Sequence, residues 1–185
     1  MQLQGSITAL TTPFTESGML DLGAWRAQID MQIRSGTAAV VVAGSTGEAA
    51  TLSDEEYSQL IELAAIRVAG RIPVLAGTGL SSTAKTIRQT KLAKDSGADV
   101  ALVVTPPYVR PTQAGLHAHY LAVADAAGIP VVLYNVPGRT GCDLQPQTVG
   151  RLCSHSNIIG LKEAVGDEAR WEELYPLASP AFSLL

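Results

Sequence analysis

The feature that most constrains this chain is a regular alternation of short apolar runs with segments of helical length. Apolar residues, many of them β-branched, occupy both parities within each run, which is typical of parallel strands covered on both faces. Six runs are predicted as strands and a seventh begins near the last residue: Ile7–Thr11, Ala39–Ala43, Pro73–Gly77, Val100–Thr105, Pro130–Tyr134, Asn157–Lys162 and Ala181–Leu185.

The segments between these runs carry the start and stop signals of helices. Ser53 and Glu56 form the capping-box pattern Ser-x-x-Glu, and Gly70 is predicted to end that helix in the left-handed conformation. A later segment is predicted to begin after the cap Thr112 and to end at Gly128. Strands and helices in strict alternation predict right-handed crossovers and a parallel α/β sheet.

Two α/β architectures fit this alternation, an open doubly wound sheet and a (β/α)8 barrel of the TIM type. The sequence has neither a strand–Gly-x-Gly-x-x-Gly–helix fingerprint nor a Walker A loop. Its chemically distinctive residues lie where strands end, as on the active face of a barrel, and we therefore favour the barrel. The chain supplies about six and a half of the eight β/α units.

Residues 1–185 are therefore predicted to form an incomplete catalytic barrel whose first and seventh strands have free edges. Free edges invite aggregation. We expect this segment alone to fold poorly and to show weak activity.

Composition excludes several classes of function. The net charge is −4 and the basic residues are scattered, unlike the clustered cations of a nucleic-acid-binding protein. No apolar run could span a bilayer, and the first residues do not resemble a signal peptide. Cys142 and Cys153 have neither metal-ligand nor redox spacing. We therefore expect a cytoplasmic protein with reduced thiols that binds neither nucleic acid nor membranes.

Lys162 is unusual because it ends an otherwise apolar strand. Strict alternation would place Ile158, Gly160 and Lys162 inside the barrel, and Ile159 and Leu161 on the helix-covered face. An amine in the barrel mouth is desolvated, which lowers its pKa and makes it a nucleophile toward carbonyl groups. The alternative is a lysine that extends from the strand end to water.

Two other strand ends carry polar groups that could serve such an amine. Tyr134 is predicted to point inward, where its phenol could transfer protons to and from an imine, the alternative being a structural tyrosine. The loop Gly44–Glu48 can fold backbone N–H groups around a carboxylate or a phosphate, or it can form a simple turn.

Two loops further along the chain also present polar residues. The proline-rich loop Thr105–Pro111 displays Tyr108 and Arg110, or serves only as a turn. The turn Pro137–Gly141 carries Arg139, which can bind a carboxylate in bidentate fashion or remain a solvated charge.

The three histidines do not form a predicted metal site. His117 and His119 lie two residues apart on a predicted helix and so face different directions, and His155 is distant in sequence. No cluster of cysteines or carboxylates completes a ligand set, and we assign no metal.

Four short motifs together resemble the dihydrodipicolinate synthase and N-acetylneuraminate lyase family. They are Gly44-Ser-Thr-Gly-Glu48, Tyr134-Asn-Val-Pro137, Gly138-Arg-Thr-Gly141 and Ile159-Gly-Leu-Lys-Glu163. Each motif is weak alone, but their order and spacing are specific, and the resemblance covers essentially all 185 residues. The second and third motifs resemble the members that condense pyruvate with aspartate semialdehyde, whereas sibling aldolases share the first.

The resemblance implies a TIM barrel followed by a C-terminal helical domain, and Schiff-base chemistry that needs neither a metal nor an organic cofactor. Lys162 matches the lysine that forms an imine with pyruvate. Tyr134, Thr46 and Tyr108 match the proton relay of the family. The tyrosine at the place of Tyr108 comes from a neighbouring subunit, which implies a homo-oligomer, in the family a tetramer built as a dimer of dimers.

The substrate contacts also follow from the resemblance. Ser45 and Thr46 match the loop that binds the pyruvate carboxylate. Arg139 matches the arginine that binds the carboxylate of aspartate semialdehyde. The implied product is 4-hydroxy-tetrahydrodipicolinate, the first committed intermediate of lysine biosynthesis through diaminopimelate.

Two alternatives remain open. A sibling aldolase that joins pyruvate to a sugar aldehyde would share Lys162 and Tyr134, but polyol aldehydes lack a carboxylate for Arg139. A non-catalytic remnant of a barrel would also retain these residues if its truncation were recent.

The resemblance also concerns regulation by lysine. Lysine-sensitive members line an allosteric pocket with polar and aromatic groups, and the matching positions are Ala49, Asp54, Tyr57, Ser81, Lys85 and Pro107. Lys85 places a positive charge where an acidic residue would pair with the ammonium of lysine. We therefore expect weak or absent feedback inhibition by lysine.

Overall fold

The computed structural model describes residues 1–185 and contains one sheet of seven parallel strands. The strands are β1 Ile7–Ala9, β2 Ala39–Val42, β3 Val74–Gly77, β4 Val100–Val104, β5 Val131–Asn135, β6 Ile158–Glu163 and β7 Ser183–Leu184. Each strand pairs with the next one in the chain, so the spatial order equals the sequence order. A doubly wound sheet would reverse its order at a switch point. The unbroken order confirms the predicted incomplete barrel, which forms a curled half-barrel.

Helices connect successive strands from β1 to β7 and cover the outer face of the sheet. They are α1 Leu22–Arg34, α2 Asp54–Val68, α3 Thr83–Asp95, α4 Gln113–Ala127, α5 Pro137–Thr140, α6 Pro146–Leu152 and α7 Glu168–Leu174. None of them combines the length and the apolar character needed to cross a bilayer.

The predicted helix signals are present in the structure. In α2 the Glu56 N–H donates to Ser53 Oγ (3.2 Å) and the Ser53 N–H donates to the Glu56 carboxylate (2.9 Å), which completes the capping box. Thr112 caps α4, and Gly128 ends it with a φ of 69°. Gly70 is left-handed as predicted (φ 71°), but Ala69 already leaves the helix one residue earlier (φ 48°).

Alternate strand residues divide between two layers of the core. Inside the curl, Val41, Leu75, Leu102 and Val132 form one buried cluster, to which Tyr134 also belongs. Strand residues of the opposite parity pack against the helices in two larger clusters. The half-barrel is therefore filled by side chains and opens only where its strands end.

A β-bulge in β6 corrects the predicted faces of two residues. Adjacent residues of β5 pair with Ile158 and Gly160, and Ile159 is skipped. Ile159 consequently packs inside the curl and Ile158 against the helices, so strict alternation gave the wrong face for both. Beyond the bulge the alternation resumes, and Lys162 pairs with Tyr134 on the interior face as predicted.

The two ends of the sheet have free edges, as predicted. Strand β1 pairs only with β2, and β7 pairs only with β6. Leu3 is nevertheless buried, and its N–H donates to Ser183 Oγ (3.1 Å). The segment before β1 therefore contacts β7 directly and holds the two ends of the curl together.

Candidate active site

The carboxyl ends of strands β2 to β5 surround a cavity of about 390 Å³. Ser45, Tyr134 and Arg139, which come from three different loops or strands, all line it. The remaining wall is mainly small or apolar, with Ala43, Gly77, Leu102, Val104 and Val136 among its members. A small anionic molecule that entered this cavity would meet polar groups at few, defined points.

Lys162 does not line this cavity itself, but it lies against the ring of Tyr134, which does. Its Nζ is 4.4 Å from the ring centroid, and the side chain is half-buried and forms no salt bridge. Burial lowers the pKa of Lys162 below the ordinary value for lysine, and the positive charge of Arg139 lowers it further. Both effects disfavour the charged form of the amine, and only the uncharged form can attack a carbonyl carbon.

The loop after β2 is held in a strained conformation. Ala43 and Glu48 both have positive φ angles, 49° and 56°. The Gly47 carbonyl accepts a hydrogen bond of 2.6 Å from Thr12 Oγ1. The N–H groups of Ser45 and Thr46 donate to no group of the chain, which leaves both free to bind a carboxylate.

Gly77, at the end of β3, is required by this loop because the two backbones pass very close together. A Cβ atom at Gly77 would lie 2.2 Å from the carbonyl oxygen of Ala43. The Tyr57 hydroxyl donates to the Gly77 carbonyl (2.9 Å), and burial raises the pKa of this phenol. The buried Tyr57 side chain of α2 therefore helps to hold Gly77 close to Ala43.

Three of the predicted site residues do not line the cavity, namely Lys162, Thr46 and Tyr108. Thr46 is exposed on the same turn as Ser45, but it does not line the cavity wall. Tyr108 is 91% exposed, has a φ of 73° and does not line the cavity either. Its N–H donates to the Thr140 carbonyl (2.9 Å), which fastens its loop to the short helix that carries Arg139.

A polar network missed by the sequence analysis lies on the opposite face of β5 and β6. It joins Asn135, Asp143, Glu163 and Arg170, and the Glu163 side chain is completely buried. Asn135 follows Tyr134, and Glu163 follows Lys162. The sequence signal for this network was therefore the pair of consecutive polar residues at the end of each strand, whose side chains point to opposite faces.

The histidines lie apart from the cavity, and the structure contains no group of three or more His, Cys, Asp or Glu side chains suited to a metal ion. His119 is buried, with Nδ1 2.9 Å from Thr83 Oγ1 and no partner for Nε2. Burial lowers the pKa of His119 to about 4. This imidazole is a neutral part of the packing between α3 and α4.

Five of the six positions matched to lysine regulation line one of two cavities, and Ser81 lines neither. Ala49, Tyr57 and Pro107 line the main cavity. Asp54 and Lys85 line a second cavity of about 410 Å³ beside it. The second cavity also contains an arginine, so its lining carries more positive than negative charge.

Residues 2–185 match the dihydrodipicolinate synthetase family. The chain belongs to this family. It is 63% identical over its whole length to the 4-hydroxy-tetrahydrodipicolinate synthase of Stenotrophomonas maltophilia (strain K279a), and it covers 62% of that protein. The chain thus spans less than two thirds of the length of this relative.

Solved structures of the family share the fold closely. The chloride-inhibited dihydrodipicolinate synthase from Acinetobacter baumannii, solved with pyruvate, is 46% identical and superposes with a TM-score of 0.94 over 98% of this chain and 62% of that one. The dihydrodipicolinate synthase from Thermotoga maritima is 37% identical, with a TM-score of 0.96 over 100% of this chain and 63% of that one. The half-barrel is therefore a segment of the fold that these proteins share.

Proposed function

We propose that this chain carries the Schiff-base centre of a 4-hydroxy-tetrahydrodipicolinate synthase, which condenses pyruvate with aspartate semialdehyde. The observation that carries the proposal is the half-buried Lys162 amine, which has no ion-pair partner and lies 4.4 Å from the Tyr134 ring. Membership of the family and the name of the 63% identical relative support the same activity.

In the first half-reaction the Lys162 amine attacks the ketone carbon of pyruvate. The ketone oxygen leaves as water, and a protonated imine forms. The unpaired N–H groups of Ser45 and Thr46 would hold the pyruvate carboxylate. Loss of a proton from the methyl carbon then gives an enamine, with the imine nitrogen accepting the electron pair.

In the second half-reaction the enamine carbon attacks the aldehyde of aspartate semialdehyde, and the aldehyde oxygen takes up a proton to become a hydroxyl. Arg139, exposed at the mouth of the cavity, would bind the carboxylate of this substrate. The amino group of the substrate then attacks the imine carbon, which closes the ring and releases Lys162. Tyr134 would transfer the protons of these steps because its side chain lines the cavity and lies against the amine.

The proton relay implies an oligomer. The Tyr108 side chain is 91% exposed and lies outside the cavity of its own chain. We infer that Tyr108 serves the site of a neighbouring subunit in a homo-oligomer, a tetramer built as a dimer of dimers. We also infer that the protein works in lysine biosynthesis in the cytoplasm. The two free cysteines fit a reducing compartment.

The decisive experiment is to treat the purified protein with pyruvate and borohydride and then to map the modified peptide by mass spectrometry. We expect a reduced adduct on Lys162 and none on Lys85, Lys91 or Lys94, the other lysines of the chain. The matched control is Lys162→Met, which should give no adduct. An adduct on another lysine, or none with the folded protein, would refute the proposal and favour a non-catalytic barrel remnant.

Steady-state turnover then identifies the acceptor. We expect pyruvate to be consumed with aspartate semialdehyde and not with sugar aldehydes of similar size. Faster turnover with a sugar aldehyde would instead assign the chain to the sibling aldolases.

A further inference from the structure

We propose that Glu163 and Arg170 are positioning residues that fix the register of β6 and thereby hold Lys162 against Tyr134. The proposal rests on the proposed function of Lys162, but it concerns side chains on the other face of the sheet. These side chains contact neither the cavity nor the amine. Four observations support it.

The first observation is that β6 has a point of weak register. The bulge at Ile159 places an extra residue before Lys162, so the ladder before the bulge does not determine how the strand continues after it. A shift by one residue would turn Lys162 to the helix-covered face and Glu163 into the cavity. Something beyond the bulge must therefore select the native pairing.

The second observation is that Asn135 and Glu163 pair directly, one residue after Tyr134 and Lys162. The Asn135 amide nitrogen lies 3.0 and 3.1 Å from the two carboxylate oxygens of Glu163. The amide oxygen accepts a hydrogen bond from the Leu144 N–H (2.9 Å). The side-chain contact exists only in the native register, because a slipped strand would present a different residue to Asn135.

The third observation is that Arg170, on α7, holds the Glu163 carboxylate in place. Its Nε donates to Glu163 Oε2 (2.7 Å), and the guanidinium also contacts both carboxylate oxygens of Asp143 (3.0 and 3.2 Å). The Val165 N–H donates to the other Glu163 oxygen (3.0 Å). A carboxylate with no exposed surface is thus bound from three sides.

The fourth observation is the burial itself. The Glu163 side chain is fully buried and that of Arg170 is 11% exposed. A buried ion pair contributes little net stability compared with apolar packing, but it disfavours every arrangement that separates its members. Such a pair at this point penalises the slipped register far more than it stabilises the fold.

The test compares Glu163→Gln and Arg170→Met with the unchanged protein by three measurements. These are the rate constant of imine formation at saturating pyruvate, the pyruvate concentration at half-saturation, and the rate of Lys162 acetylation by acetic anhydride relative to the other lysines. The matched control is Arg67→Met, which removes an arginine paired with Asp30 on the exposed surface.

We expect the rate constant of imine formation to fall at least about 10-fold in both variants, because misplacement by about 1 Å can cost a reaction two orders of magnitude. The pyruvate concentration at half-saturation should change less than about threefold, because Ser45 and Thr46 do not contact Glu163 or Arg170. The relative acetylation of Lys162 should change as its exposure changes. Arg67→Met should leave all three values unchanged, and Arg170→Lys, which keeps the cation, should restore part of the rate.

A purely structural role predicts a different result, namely lower melting temperatures with normal imine formation and normal Lys162 acetylation in the folded fraction. That result would overturn the proposal. If Glu163→Gln does not fold, Arg170→Met supplies the same measurements. If the unchanged protein forms no imine, the proposed function fails, yet the acetylation of Lys162 in the variants still decides whether the network positions this amine.

Discussion

The close approach of β3 to the loop after β2 allows a single methyl group to test whether this loop binds pyruvate as proposed. In Gly77→Ala the new Cβ would lie 2.2 Å from the Ala43 carbonyl oxygen and 2.9 Å from its carbonyl carbon. Both are backbone atoms, so no rotamer change can relieve the contact. The loop must move by at least about 1 Å to restore normal van der Waals separation.

That movement should weaken pyruvate binding by a predictable amount. The unpaired N–H groups of Ser45 and Thr46 lie two and three residues after Ala43 on the same loop and would bind the substrate carboxylate. A hydrogen bond to a charged group contributes about 1.5–3 kcal/mol, so the loss of one such bond raises the half-saturating pyruvate concentration about 10- to 100-fold. The fold itself should lose about 1–3 kcal/mol from overpacking, so the assay must be run well below the melting temperature.

The assay is borohydride trapping of the pyruvate imine across a range of pyruvate concentrations. Gly166→Ala is the matched control, because a Cβ there would meet no atom within 4 Å. We expect half-saturation to rise only in Gly77→Ala. If folded Gly77→Ala binds pyruvate as well as the control does, the loop after β2 does not hold the carboxylate.

Three further predictions concern charge. Arg139→Met should raise the pKa of Lys162 and shift the pH midpoint of imine formation upward, most clearly at low salt; a midpoint unmoved at low ionic strength would contradict this. His119, with a folded pKa of about 4 against about 6.5 when unfolded, contributes stability that is present above pH 6.5 and lost as the pH falls toward 4. Between pH 6.5 and 4 the free energy of unfolding of His119→Gln, measured with urea, should therefore fall by on the order of 2 kcal/mol less than that of the unchanged protein. An equal fall in both proteins would exclude His119 as the cause. Millimolar lysine should inhibit turnover weakly or not at all, because Lys85 repels its ammonium group, and Lys85→Glu should increase any inhibition.

The fold was predictable because parallel strands leave a strong local signal. Their residues are buried on both faces, so runs such as Ala39–Val42 and residues 131–133 are apolar throughout. The bulge at Ile159 could not be predicted in the same way. Ile158 and Ile159 are equally apolar, and their faces are decided by pairing with β5 rather than by anything local.

The candidate site was predictable where a polar residue and the end of an apolar strand coincide. Lys162 and Tyr134 were found because each places a polar group at the end of an apolar strand. Arg170 was missed because it resembles any surface arginine of a helix, and only the tertiary structure brings it to Glu163. Tyr108 points away from the cavity of its own chain, so any role it has in catalysis depends on a contact beyond a single chain.

The placement of Lys162 and Glu163 on opposite faces of the sheet follows from one property of β-strands. Successive side chains point to opposite faces, so a strand that sends Lys162 toward the cavity must send Glu163 toward the helices. The amine needs a site where its charge is poorly stabilised, whereas the carboxylate beside it needs a site with donors, and only opposite faces can supply both. On the proposed function, the strand thus separates the reactive amine from the carboxylate that positions it by the thickness of one sheet. Under this proposal, a buried carboxylate one residue away positions Lys162 without forming the salt bridge that would favour the charged form of the amine.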